Sequence, residues 1–87
     1  MSKKDDTGQL RVLVVDDSAY NRKMLRTMLM DTDEVGTVDV VSDGEEAIKV
    51  VMTDPPDVIT LDLNMPRMDG FTFLRWLMRN HPLPVVV

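Results

Sequence analysis

Four short β-branched runs alternate with longer stretches of helical periodicity, and this alternation narrows the possible folds more than any other feature of the chain. The runs are Val12–Val15, Val38–Val41, Val58–Leu61 and Pro84–Val87, recurring at intervals of about 20–27 residues. Val12–Val15 is continuously apolar, as a strand covered on both faces should be. The stretch from Ser18 to Met30 places Leu25, Met28 and Leu29 on one stripe and Arg22, Lys23 and Arg26 off it. Asp31 to Glu34 and Gly36 end that helix. A second helix follows Ser42-Asp43-Gly44-Glu45, which fits a capping box with Ser42 accepting from the backbone of Glu45. It turns Ala47, Ile48 and Val51 inward and stops at Asp54-Pro55-Pro56. In the third, Asp69 is the cap, Phe71, Leu74, Leu77 and Met78 face the core, and Asn80-His81-Pro82 is the stop. Strand–helix–strand repetition predicts an α/β fold: a parallel sheet with helices on both faces, four strands and three helices, and Val58–Leu61 central. Such sheets bind ligands at the carboxyl ends of their strands.

Length and charge bound the rest. With 87 residues the chain is one domain at most, expected to bury only about 60–65% of its unfolded surface. Residues 1–9 read as a flexible polar tail without the apolar centre of a signal peptide, and residues 10–87 as the folded domain. No apolar run approaches the roughly 18 residues a membrane span needs. Zero cysteines exclude disulfides and thiolate metal sites and fit a cytoplasmic protein. A net charge of −5 argues against nucleic-acid binding by this segment. The eight methionines, mostly at helical spacing, read as core filler. Val85-Val86-Val87 has no polar flank, so the sequence reads as a piece of a larger domain whose open valine edge favours association or domain swapping.

The chemistry lies in three acids. Asp16-Asp17 ends the first apolar run and Asp62 ends the third. If both runs are parallel strands, the three carboxylates meet at one sheet edge, where they repel unless a cation holds them. Mg²⁺ suits such oxygen donors, taking one or two carboxylates and keeping several waters. The loop after Asp62 adds backbone carbonyls, that of Asn64 two residues on. Asp62 is then placed to attack a phosphoryl group in line and form an acyl phosphate. Pro66 stiffens the loop by fixing its own φ and restricting Met65, and Gly70 allows a tight approach as the next helix starts. Plainer readings stand beside these. Asp16 and Asp17 alone suit a helix start, where the dipole favours carboxylates; only Asp62 in register turns them into a metal site. His81 is a helix C-terminal dipole partner. Trp76 and Phe73 are core or partner surface, and Arg67, Arg75 and Arg79 a solvated face able to attract a phosphodonor.

Two segments resemble a known family. Val12-Leu13-Val14-Val15-Asp16-Asp17-Ser18 and Leu61-Asp62-Leu63-Asn64-Met65-Pro66-Arg67-Met68-Asp69-Gly70 look like the signature stretches of two-component response-regulator receiver domains. The likeness covers Leu10 to Val87. It implies a flavodoxin-like, CheY-like sheet, with Asp62 as the phosphoacceptor supplied by a phosphohistidine on a sensor histidine kinase. It also implies Mg²⁺ held by Asp17 directly, by Asp16 largely through water, by Asp62 and by the main-chain carbonyl of Asn64. The output would be an effector domain of the same protein or a downstream partner. Asp-Asp-Ser-Ala-Tyr with Pro-Leu-Pro-Val-Val-Val is similar to the receiver half of chemotaxis protein-glutamate methylesterases, which would leave this chain a non-enzymatic part of a larger enzyme.

The family also places a Thr or Ser past the fourth strand and a Lys at the end of the fifth, and Val87 precedes both. Thr60 lies inside the third strand and Lys23 and Lys49 on helices, so none is expected to replace them. A structural receiver fragment incapable of phosphorylation is therefore one alternative. A haloacid-dehalogenase-type aspartyl-phosphate hydrolase is another, disfavoured because its second acid would stand where Asn64 does. No G-x-S-x-G is present for an esterase.

Overall fold

The computed structural model describes residues 8–65 and 70–87. In chain order the elements are β1 (Leu10–Val15), α1 (Ala19–Met30), β2 (Val35–Val41), α2 (Gly44–Thr53), β3 (Val58–Leu61), α3 (Gly70–Asn80) and β4 (Val85–Val86). The strands form one parallel sheet in the order β2-β1-β3-β4. This is the flavodoxin-like order expected from the resemblance, over the four strands described. The stiffening of the loop by Pro66 and the capping role of Asp69 lie outside the described residues, as does the tail before Gly8.

Alternate strand residues face opposite sides, so each strand contributes to two cores. Leu13, Val15, Val41, Ile59 and Leu61 pack with Ala47 and Val51 of α2 and with Phe73 and Leu77 of α3. Val12, Val14, Val35 and Val38 pack on the other side with Leu25 and Leu29 of α1. That double coverage explains why Val12–Val15 carries no polar alternation.

Several local expectations shift. The second strand starts at Val35, three residues early, because the register slips between Leu10 and Arg11 and absorbs Gly36 as a bulge. Gln9 is no longer tail: its Nε2 donates to Asp33 O at 2.9 Å. The cap of α2 is Asp43, whose side chain accepts from Glu46 N at 2.9 Å. Ser42 instead donates from Oγ to the Glu46 carboxylate at 2.6 Å, so the capping exchange sits one residue later than the sequence pattern suggests.

On α3 the buried side chains are Phe73 and Leu77, while Phe71 and Met78 are about half exposed. The inward stripe is rotated because the stacked Phe73–Trp76 pair, with ring centroids 6.2 Å apart, lies towards the core. Phe73 is thus core, and Trp76 packs at its margin. Reading the methionines as core filler is also overturned. Met24, Met28, Met30, Met52 and Met78 are exposed, and Met65 alone among the described methionines is buried. Among the described residues, the face lined by Val12, Val14 and Val38 is packed by α1 through Leu25 and Leu29, and Met24 and Met28 on that helix stay exposed.

At the amino end of the sheet, Asp57 is fully buried. Its Oδ2 accepts from Arg11 N at 2.8 Å, and its own N donates to Arg11 O at 2.8 Å. Asp57 Oδ1 has no hydrogen-bond partner. The Arg11 guanidinium pairs with the carboxylate of Asp54, which raises its pKa, with Asp39 and Asp57 adding to the rise. Removing the Asp57 carboxylate leaves the Arg11 amide unsatisfied. Asp57→Ala is expected to lower stability by about 1–3 kcal/mol in urea denaturation, with the slope unchanged.

Candidate functional site

The pairing of β1 with β3 runs from Val12↔Val58 to Val15↔Leu61, and the next amide, Asp62 N, still donates to Val15 O at 2.9 Å. On the other side Asp16 N donates to Val41 O at 3.2 Å. Both strands therefore reach the same height before the chain turns away, and their terminal acids stand side by side. Carboxylate oxygens of Asp16, Asp17 and Asp62 all lie within 4.8 Å of one another. Asp16 is buried, Asp62 half-buried and Asp17 exposed. The sequence expected this convergence, and the structure brings the three acids together.

Local bonding fixes two of the three. Asp16 Oδ1 accepts from Ser18 N at 2.9 Å, closing an Asx turn, and Ser18 Oγ caps α1 by accepting from Asn21 N at 3.2 Å. Arg22, on the second turn of α1, donates to Asp16 O at 2.8 Å. Asp62 Oδ1 accepts from Asn64 N at 3.0 Å, which bends the loop back over the acid. Asn64 itself is exposed.

Asp16 and Asp62 border an open cavity of about 520 Å³, walled also by Asn21, Thr60 and Asn64, with Leu25 and Val86 at its apolar side. Thr60 does lie inside β3, as expected. It nevertheless shares this wall with Asp62, because residues two apart in a strand point the same way. Its Oγ1 is buried without a hydrogen-bond partner. The sequence reading did not place Asn21 or Arg22 at the site, setting Arg22 only off the apolar stripe, although a helix starting directly after Asp16-Asp17 must bring its first two turns over the strand end. Lys23 and Lys49 are exposed on α1 and α2, and His81 follows α3, its N–H donating to Leu77 O at 2.8 Å; none of them lines the cavity.

Whether these residues suit a divalent cation can be judged from the donor set. All three side chains offer hard carboxylate oxygens. Among the described residues the ion pair is Arg11–Asp54, at the opposite end of the sheet, and no basic side chain pairs with Asp16, Asp17 or Asp62. Three carboxylates this close, with no positive partner among the described residues, form a site that a hard cation would stabilise.

The family profile described as response regulator receiver domain matches residues 12–87. The chain is 55% identical over 80 residues to a protein-glutamate methylesterase/protein-glutamine glutaminase of Myxococcus xanthus, covering 92% of this chain and 23% of that protein. A protein of the same description from Hydrogenovibrio crunogenus is 53% identical, with 92% and 21% covered. The chain thus spans about a quarter of the length of these relatives. Among solved structures, the response regulator domain of Thermotoga maritima CheB superposes with a TM-score of 0.83 at 38% identity, covering 88% of this chain and 57% of that one.

Without a cation the three carboxylates repel. Asp17→Asn, which removes the exposed member, is expected to stabilise the metal-free chain by on the order of 1 kcal/mol at low salt. The gain should fade as NaCl is raised towards 1 M, where the Debye length is about 3 Å. Thermal melts across a salt series check both statements.

Proposed function

The chain belongs to the response regulator receiver domain family, and from that premise we propose that it is the phosphoacceptor part of a two-component, chemotaxis-type signalling protein. Asp62 takes the phosphoryl group of a histidine kinase. The observation that carries this reading is the convergence of Asp16, Asp17 and Asp62 within 4.8 Å at the carboxyl edge of a parallel sheet.

In this reading the Asp62 carboxylate attacks phosphorus in line. An O–P bond forms as the N–P bond of the phosphohistidine breaks, and the imidazole leaves. Asp16, Asp17, Asp62 and the Asn64 carbonyl would hold Mg²⁺, which when bound supplies Lewis-acid neutralisation of phosphoryl oxygens. Asn64 N, donating to Asp62 Oδ1, holds one carboxylate oxygen and leaves the other to act as nucleophile. Arg22 fixes the backbone of Asp16 through its carbonyl, so the acid stays at the strand end. Ser18 orients the Asp16 carboxylate through its backbone amide.

The haloacid-dehalogenase alternative falls away with the family assignment, and the residue two places after Asp62 is an exposed amide. Residues 10–87 act as the receiver domain, with residues 1–9 preceding it. The relatives' names attach the receiver to a methylesterase and glutaminase. An effector of that kind in the same protein is the output proposed for this one, in the cytoplasm where the kinase resides. No described helix is long and apolar enough to cross a membrane.

Intact mass after incubation with a small acyl-phosphate donor tests the reading. One phosphoryl adduct is expected with Mg²⁺ and none in Asp62→Asn. Omitting the cation should slow labelling by roughly two orders of magnitude, the equivalent of about 2.7 kcal/mol of charge stabilisation. A folded chain that stays unlabelled would make it a structural fragment of a receiver.

The open edge of β4, with Val86 60% and Val87 73% exposed, leads to a second expectation. Unpaired apolar strand edges recruit further strands. Light scattering of the 87-residue chain at rising concentration should show self-association, and a monodisperse monomer would remove that idea.

A further inference from the structure

The first residue of α3 is a buried glycine pressed against the loop that carries the acceptor. Gly70 N donates to Leu63 O at 3.2 Å. A methyl group on Gly70 would overlap the Leu63 Cα, and would sit 2.6 Å from Asp62 O and 3.0 Å from Leu63 Cδ2. Two of those three neighbours are backbone atoms, which no change of rotamer moves aside.

We infer that Gly70 is a positioning residue for the oxygen-donor loop Asp62–Asn64, setting where its carbonyls lie relative to Asp16 and Asp17. This rests on the reading of the three acids as a Mg²⁺ site. The direction of the effect follows from what is anchored. Helix α3 is held by Phe73 and Leu77, both fully buried, and β3 by the buried Ile59 and Leu61. Between them Asp62 and Leu63 are half-buried and Asn64 is exposed. A side chain at position 70 therefore displaces the loop rather than the helix or the strand. The atoms displaced first are the carbonyl of the acceptor and the Cα that follows it. Two residues further along is Asn64, whose amide holds the Asp62 carboxylate. The hydrogen bond from Gly70 N to Leu63 O ties the same loop to the helix from the other direction. Movement at the donor atoms and movement at the start of α3 are consequently one motion.

The test is a titration of the 87-residue chain with Mg²⁺ alone, read by thermal midpoint and by amide resonances. Gly70→Ala is expected to raise the half-saturating Mg²⁺ concentration roughly ten- to a hundredfold, the usual effect of losing support behind metal ligands. Val38→Ala serves as the control. It weakens the core on the opposite sheet face, and should leave half-saturation within about twofold, as distant sites act independently. A Gly70→Ala chain that titrates like the parent overturns the inference, and so does a Val38→Ala chain weakened equally. The unsubstituted chain decides the matter if Gly70→Ala does not fold. There the Gly70 amide resonance should move with the same half-saturation as that of Asp17, and a stationary one overturns the inference. A parent chain in which no resonance responds to Mg²⁺ removes the metal site and this inference together. A response at Asp17 with none at Gly70 removes only the inference.

Discussion

The parallel pairing of β1 with β3 is the constraint on which the rest depends. Its register, from Val12↔Val58 to Val15↔Leu61, is locked at one end by the reciprocal bonds between Asp57 and Arg11. At the other it is extended by the bond from Asp62 N to Val15 O. A slip of one residue would turn Val14 and Leu13 to the wrong cores, so burial on both faces enforces the same register. Once it is fixed, Asp16 and Asp62 have no choice but to be neighbours. The site is a by-product of strands that end level with one another.

That placement sets packing against electrostatics. The sheet gains by burying valines, isoleucine and leucine, and the same geometry forces three carboxylates within 4.8 Å. Asp16 is buried on top of this, a position ordinarily unfavourable for a charged group. Short-range bonds offset part of the penalty: Ser18 N to the Asp16 carboxylate, Asn64 N to that of Asp62, and Arg22 to the Asp16 carbonyl. Among the described residues no basic side chain pairs with these acids to offset the remainder. The loop that follows Asp62 is wedged against Gly70, so the helix α3 shares in whatever moves there.

How far the sequence could be read depended on the range of the interaction involved. The strands and the double-sided core were legible because uninterrupted runs such as Val12–Val15 permit little else. Asp16, Asp17 and Asp62 were legible because each directly ends such a run. Where two local solutions compete, the sequence pattern misled: Ser42 and Asp43 both suit a cap, and only the path of the chain from β2 selects Asp43. The methionines misled for a different reason. Helical spacing marks a stripe, but Met24, Met28 and Met78 fall on the parts of α1 and α3 that the sheet does not reach. Thr60 was assigned correctly to its strand, yet its place on the cavity wall depends on what lies opposite, in α1 and β4.

By itself the sequence determined the order of strands and helices, the acids at the strand ends and the family to which these segments are similar, because all of these are encoded in runs of adjacent residues. Tertiary structure alone decided the bulge at Gly36, the inward face of α3, the buried Asp57 clamp, the hold of Arg22 on Asp16 and the contact of Gly70 with the backbone of Leu63. Each of these joins residues brought together by the register of the sheet or the docking of a helix. Spacing along a chain carries no information about such meetings.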